Sequence, residues 1–172
     1  ICSRNAQELD QAAEEIGGAT GVEVLAVPAD LSKLEDIQTL VKRTVDHFGR
    51  LDILVNNSGG PPAGRATDTT EEVWYQSVDM ALMFFIRMSR EAVPHMKNGG
   101  WGRIVNVLAS SVYQPIENLV TSGVTRMGAV AFAKSLADEV GRDNILVNNV
   151  APGYLLTDRM MHIFEVRSED TG

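Results

Sequence analysis

A chain of 172 residues, 44% hydrophobic and 22% charged, has material for one domain with a substantial core and too little for two. Its formal net charge of −8 excludes the basic footprint that a nucleic-acid partner requires, and its longest apolar run, residues 80–86, is far too short to cross a bilayer. The lone cysteine, Cys2, cannot form an internal disulfide, which fits a reducing cytoplasm and a small packing residue at a strand end rather than a nucleophile.

Asn5 followed by Glu8 reads as a helix start, with Leu9, Ala12, Ala13 and Ile16 on one face and Gly17-Gly18 as the stop. Residues 22–27 form a β-branched strand ended by Pro28. Ser32-Lys33-Leu34-Glu35 is a capping box opening a helix whose apolar stripe is Leu34, Ile37, Leu40, Val41, Val45 and Phe48, with Gly49 as its breaker. Residues 52–56 (DILVN) are near-continuously apolar, as in a parallel strand buried on both faces.

A Gly- and Pro-rich loop then leads to Thr69-Thr70-Glu71-Glu72, the start of a long helix reaching about Lys97 and bent where Pro94 removes a donor. Residues 103–108 (RIVNVL) form another strand, residues 119–140 a helix closed by Gly141, and residues 144–150 (NILVNNV) the last clear strand. Pro152-Gly153 turns the chain into a short helical pattern at 155–166. Such alternation predicts a doubly wound α/β domain, a single partial Rossmann-type unit over residues 1–172, with right-handed crossovers.

The loops narrow the family. Asn56-Asn57-Ser58-Gly59 resembles the N-N-A-G signature of short-chain dehydrogenases/reductases, with Ser58 for the usual Ala. The run from Asn148 through Pro152-Gly153, followed by Thr157-Asp158, is similar to that family's P-G motif and its downstream Thr. Ala29-Asp30-Leu31 resembles the pair after its third strand, and Gly102-Arg103-Ile104-Val105-Asn106 its lead-in to the catalytic serine. Four motifs in order cover nearly the whole chain.

That resemblance implies NADP, with NAD as the lesser alternative, along the carboxyl edge of a parallel sheet. Asp30 and Leu31 would meet adenine, and Asn57, Ser58 and Gly59 the adenosine ribose, with Gly59 admitting close backbone approach. Pro152, Gly153 and Thr157 would border the carboxamide end. On the residues alone, Gly59-Gly60 also reads as a tight turn and Asp30 as a cap. Ser3 and Arg4 stand where NAD-preferring members place an acid; a guanidinium there suits a 2′-phosphate, or is a solvated cation at a helix start.

The family's catalytic Asn, Ser, Tyr and Lys are replaced. Counting back from Ala133-Lys134-Ser135-Leu136-Ala137 puts Arg126 at the Lys position and Ser122 at the Tyr position; Ala81 takes the Asn position and Ala109 that of the Ser, with Ser110 and Ser111 just after. Four-residue spacing keeps Ser122 and Arg126 on adjacent turns. Arg126 retains the charge and the capacity to bond ribose hydroxyls in a different geometry. Ser122 is no phenol: bringing even a phenol from a pKa near 10 to about 7 takes roughly 4 kcal/mol, and an aliphatic hydroxyl is a far weaker acid. Tyr113 offers an alternative phenol. Ser110, Ser122 and Arg126 are the candidate catalytic set. The chain is similar to 3-oxoacyl-carrier-protein reductase-like members that share this Ser…Arg replacement.

The family's first strand, its T-G-x-x-x-G-x-G turn and its last strand have no counterpart here, so the chain reads as a fragment of a longer frame. Without a central first strand, either the flanking strands pair directly or an apolar cleft remains between them. The expected activity is an NADP-linked oxidoreductase acting on a small carbonyl or secondary alcohol; the alternatives are a catalytically silent homologue that binds nucleotide or a partner subunit, or a non-functional fragment. The helices at 70–97 and 119–140 would build a homodimer or homotetramer interface in the full-length form. His47, His95 and His162 lack metal-ligand spacing, and no metal is expected.

Overall fold

The structure, a computed structural model, describes residues 1–153 and Leu155; Thr157 and the rest of the helical pattern at 155–166 lie outside the described residues. Strand and helix alternate as β1 (Cys2–Ser3), α1 (Ala6–Thr20), β2 (Val27–Pro28), α2 (Leu34–Phe48), β3 (Ile53–Asn56), α3 (Glu71–Val78), α4 (Phe84–Gly99), β4 (Gly102–Val107), α5 (Val120–Val140) and β5 (Ile145–Val150). Every strand pair is parallel, the Rossmann-type pattern. Among the described residues the strands form two sheets, β1-β2 and β3-β4-β5, with no pairing between them. Direct pairing of β2 with β3, one of the two expected outcomes, does not occur. No helix among the described residues is long and apolar enough to cross a membrane.

Local chemistry sets the ends of the elements, differently from expectation at two helix ends and one strand. Asn5 caps α1, its Oδ1 accepting the Gln7 and Glu8 N–H groups at 3.1 and 3.4 Å. The helix then runs through Gly17-Gly18 to Thr20 and stops at Gly21, where φ is +72°. Two glycines lower helix propensity without ending a helix; the left-handed turn at Gly21 ends it. Ser32 makes no capping box, because its hydroxyl turns back to Asp30 Oδ1 at 2.8 Å and Lys33, before α2, supplies no side-chain cap. Asp30 also accepts the Ser32 N–H at 3.1 Å, a local turn that competes with helix initiation. The strand expected over 22–27 shrinks to Val27–Pro28, since β1 offers only the partners Cys2 and Ser3, and Pro28 has no N–H to extend the ladder.

The three-stranded sheet carries the core. Leu54, Ile104 and Ile145 are buried against Phe84, Phe85, Met88 and Met96 of α4 and Ala129, Leu136 and Val140 of α5. The other face departs from the expected two-sided burial: Ile53, Val55, Leu146 and Val150 are about half exposed, at 57, 58, 47 and 50%. The reason is that α4 and α5 lie together on one side. Towards the carboxyl end the buried row turns polar. Asn56, Asn106 and Asn149 stand opposite one another in register; Asn56 Nδ2 donates to Asn106 Oδ1, and Asn106 Nδ2 to Asn149 Oδ1, both at 2.9 Å.

The long helix expected over 70–97 forms as α3 and α4 joined through a π-turn, Asp79–Met83. Thr70 caps it, its hydroxyl accepting the Val73 N–H. The irregularity falls at the π-turn, whereas Pro94 stays inside α4. Most of the apolar run 80–88 serves this chain's own core: Phe84, Phe85 and Met88 are buried, and Leu82 abuts Gly128 of α5, where a Cβ would lie 3.1 Å from Leu82 Cδ2.

Replacing Asn106 by Ala removes the middle of the amide row and leaves the buried Asn56 Nδ2 with only the Ser89 hydroxyl at 3.4 Å. An orphaned buried amide costs about 1–3 kcal/mol. The variant's denaturation midpoint in urea is expected to fall accordingly, with an unchanged slope.

Candidate active site

Each loop bearing a candidate contact leaves the carboxyl end of a parallel strand, the edge at which open α/β sheets bind ligands. After β1 and β2, a cavity of about 310 Å³ is lined by Arg4, Pro28, Ala29, Asp30 and Asp36. Hydrogen bonds from the Ser32 hydroxyl, then the Ser32 N–H, hold the Asp30 carboxyl below the usual carboxylate range, with Lys33 and Arg4 adding positive charge. The Asp30 N–H is itself fixed by Asp36 Oδ2 at 2.8 Å. Leu31 packs against the core, and Ser3 accepts the Asn5 N–H on its hydroxyl at 3.3 Å. Arg4 and Asp30, read separately from the sequence, thus line one cavity.

The loop after β3 carries Asn57, Ser58 and Gly59. The Ser58 hydroxyl lies 3.5 Å from the Met80 carbonyl in the π-turn and 3.4 Å from the Gly59 carbonyl. A Cβ on Gly59 would meet nothing within 4 Å, so the protein's own packing does not require glycine there. That open space is what a bound ribose needs.

After β4, the Ser110 N–H donates to the Pro152 carbonyl at 3.0 Å, tying this loop to the one after β5. Ser111, rather than Ser110, is the more deeply placed hydroxyl: it is 7% exposed and its Oγ has no hydrogen-bond partner. A Ser-Ser pair after a strand cannot show which member turns inward. On α5, Ser122 and Arg126 are 7% and 6% exposed, one turn apart on the inward face. Arg126 Nη1 donates to the Val107 carbonyl at 3.0 Å, fastening α5 to the end of β4. Tyr113 does not join them. It is 81% exposed and lines a cavity of about 1020 Å³ together with Ser111, Gly123, Val124 and Met127. Ala81, at the family's Asn position, is buried within the π-turn. Gly153 is exposed, with open space where a Cβ would stand.

Comparison with known proteins identifies the family and the fold. The family model described as short chain dehydrogenase matches residues 1–168. The D-beta-hydroxybutyrate dehydrogenase of Rhizobium meliloti is 32% identical over 152 residues, covering 87% of this chain and 58% of that protein. The L-sorbose reductase of Gluconobacter frateurii, solved with NADPH and L-sorbose, superposes with a TM-score of 0.93 at 31% identity, over 99% of this chain and 65% of that one. An actinorhodin polyketide ketoreductase solved with NADPH gives 0.92 at 29% identity, over 99% and 66%. The chain therefore spans roughly three-fifths to two-thirds of the length of these relatives, and it belongs to the short-chain dehydrogenase family.

Ser32→Ala is expected to raise the Asp30 pKa towards its ordinary value near 3.9, read from an NMR titration of the carboxyl. A depressed folded-state pKa stabilises the fold above the unfolded value, and this contribution is lost as pH falls through the folded one. Wild type therefore gains more from Asp30 than the variant at neutral pH, and the difference closes in strong acid.

Proposed function

We propose that this chain is the nucleotide-binding part of an NADP-linked oxidoreductase acting on a carbonyl or secondary alcohol, of the 3-oxoacyl reductase type. The observation that carries the reading is the cavity shared by Arg4 and Asp30 after β1 and β2. A guanidinium there offers paired donors to a 2′-phosphate, and the Asp30 carboxylate is an acceptor for an adenine amine. Support comes also from the L-sorbose reductase and the polyketide ketoreductase, both solved with NADPH.

When bound, the nicotinamide cofactor would supply or accept the hydride. The chain's own residues bind and orient. Asn57, Ser58 and Gly59 border the adenosine ribose, and Arg126 stands where a cation meets the nicotinamide ribose. Pro152, Gly153 and Thr157 border the carboxamide. Ser110 and Ser122 are the hydroxyls assigned to the substrate oxygen, where an aliphatic O–H donates a hydrogen bond and is a poor proton source. The full-length form is assigned as a homodimer or homotetramer through α3 and α5, which leave Tyr75, Val124 and Met127 at 73, 53 and 49% exposure. A cytoplasmic setting suits Cys2, whose thiol pKa is pushed up by burial.

One observation favours a second reading, a homologue that binds nucleotide without turnover. Arg126 is buried and already engaged by the Val107 carbonyl, and the Tyr113 phenol points away at 81% exposure.

Titration of the chain with NADPH and NADH by fluorescence tests the cofactor assignment. Arg4→Ala is expected to weaken NADPH by roughly tenfold, the loss of a charge-assisted hydrogen bond, and to leave NADH nearly unchanged. Equal loss for both would remove Arg4 from the phosphate. Arg126→Ala is expected to weaken both alike. Oxidation of bound NADPH by a panel of 3-oxoacyl and sugar carbonyls then separates the enzyme from the silent binder.

A further inference from the structure

Arg87 stands outside every motif considered so far, yet its guanidinium joins two parts of the candidate nucleotide site. Its Nη1 donates to the Ser32 carbonyl at 2.8 Å, across 55 residues of sequence. Its Nη2 pairs with Asp79 Oδ1 at 2.7 Å, with the two side chains 20% and 39% exposed. Ser32 belongs to the turn that holds Asp30 and walls the cavity shared with Arg4. Asp79 opens the π-turn whose next residue, Met80, presents its carbonyl to the Ser58 hydroxyl. The adenine-side loop and the ribose-side loop therefore both rest on the π-turn, one through Arg87 and one through Ser58.

The π-turn makes this contact geometrically available. In an unbroken α-helix, residues eight apart are about 80° out of phase, so Asp79 and Arg87 would lie on different stripes. One residue inserted by a π-turn restores the phase of a seven-residue separation, about 20° from alignment, and puts both side chains on one face. A planar guanidinium can then reach along the helix to Asp79 and sideways to Ser32 at once, which a lysine ammonium cannot do with the same fixed fork.

We propose that Arg87, held by Asp79, is a positioning residue for nucleotide binding: it sets the spacing between the Asp30–Ser32 turn and the Ser58–Gly59 loop that the adenosine half of the cofactor would span. The proposal rests on the cofactor reading above and adds to it a residue that touches no ligand. It distinguishes the two halves of the dinucleotide, since the bracket acts on the adenosine side alone.

The test uses the full chain as wild type, Arg87→Met, Arg87→Lys, Asp79→Asn and the Arg87→Met/Asp79→Asn double variant. Binding of NADPH and of reduced nicotinamide mononucleotide, which lacks the adenosine half, is followed by fluorescence. Hydrogen exchange at the Ser32 and Lys33 amides is followed without ligand; these amides are bonded to Asp30 Oδ1 and the Asp30 carbonyl. Arg87→Met is expected to weaken NADPH roughly tenfold, leave the mononucleotide unchanged and speed exchange at both amides. Arg87→Lys is expected to fall between wild type and Arg87→Met, and it serves alone if Arg87→Met does not fold. The double variant is expected to lose no more than the worse single one, as coupled partners do. Unchanged NADPH affinity in Arg87→Met and Arg87→Lys, or equal loss for both ligands, overturns the proposal. If wild type binds no NADPH, the cofactor reading fails instead; faster exchange at Ser32 and Lys33 in the variants then still supports the bracket, and unchanged exchange overturns it.

Discussion

Three asparagine amides in one cross-strand row hold the carboxyl ends of β3, β4 and β5 level. Asn56 and Asn106 are fully buried, so each must find its partner inside the protein, and each finds it in the next strand at 2.9 Å. Sliding any strand by one residue would turn its asparagine to the other face and break the amide hydrogen bonds that the row makes. The row makes register expensive to change in a sheet whose other inward side chains, aliphatic and interchangeable, would resist slippage far less. Everything placed at that edge inherits the alignment: Ser58 after β3, Ser110 after β4 and Pro152 after β5 leave the sheet at related heights, which is why the Ser110 N–H can meet the Pro152 carbonyl. Asn56 Oδ1 remains buried without a partner, a local cost accepted within that arrangement.

The sheet's edge and the helix that crosses it carry different kinds of information. Family membership rests on the loops and the fold, and these are intact through β5. The proposed chemistry rests on α5 and the turn after β4, where Ser122 and Arg126 stand at the positions read as those of the family's Tyr and Lys. The replacement is compatible with the packing: Arg126 closes onto the Val107 carbonyl and fastens helix to strand. Arg126 is thus a scaffold contact in its own right, and a fold does not dictate the chemistry carried on it.

What was legible in the sequence follows from how local each determinant is. Apolar periodicity placed four of the five strands and the helices between them, because the period of burial belongs to each segment alone; the two-residue β1 is too short to carry a period. Arg4 and Asp30 are legible singly, as residues that flank strand ends, whereas their sharing one cavity is a product of the β1-β2 pairing. The end of α1 was misread, since Gly17-Gly18 weakens a helix but only the left-handed Gly21 terminates it. Ser32 was misread because its hydroxyl had two acceptable jobs and Asp30 was the nearer acceptor. The π-turn was invisible: a single inserted residue leaves an apolar run such as 80–88 looking like ordinary helix. Ser111 could not be separated from Ser110, and the one-sided exposure of β3 depends on which helices arrive from elsewhere in the chain. Arg87 lay beyond any local rule, because its partner Ser32 is 55 residues away.

The uncovered side of the three-stranded sheet bears on how the protein behaves among its own copies. Ile53 and Val55 on β3 and Leu146 and Val150 on β5 leave apolar surface at the two edges of this side, with β4 between them, of the kind that adheres to its like when two molecules meet. At neutral pH the formal charge of −8 keeps molecules apart. Acidification towards the isoelectric point near 4.8 removes that repulsion while leaving the greasy surface unchanged. Colloidal stability in this chain is thus set by a balance between one neutral face and the carboxylates distributed over the rest, and it narrows from the acid side first.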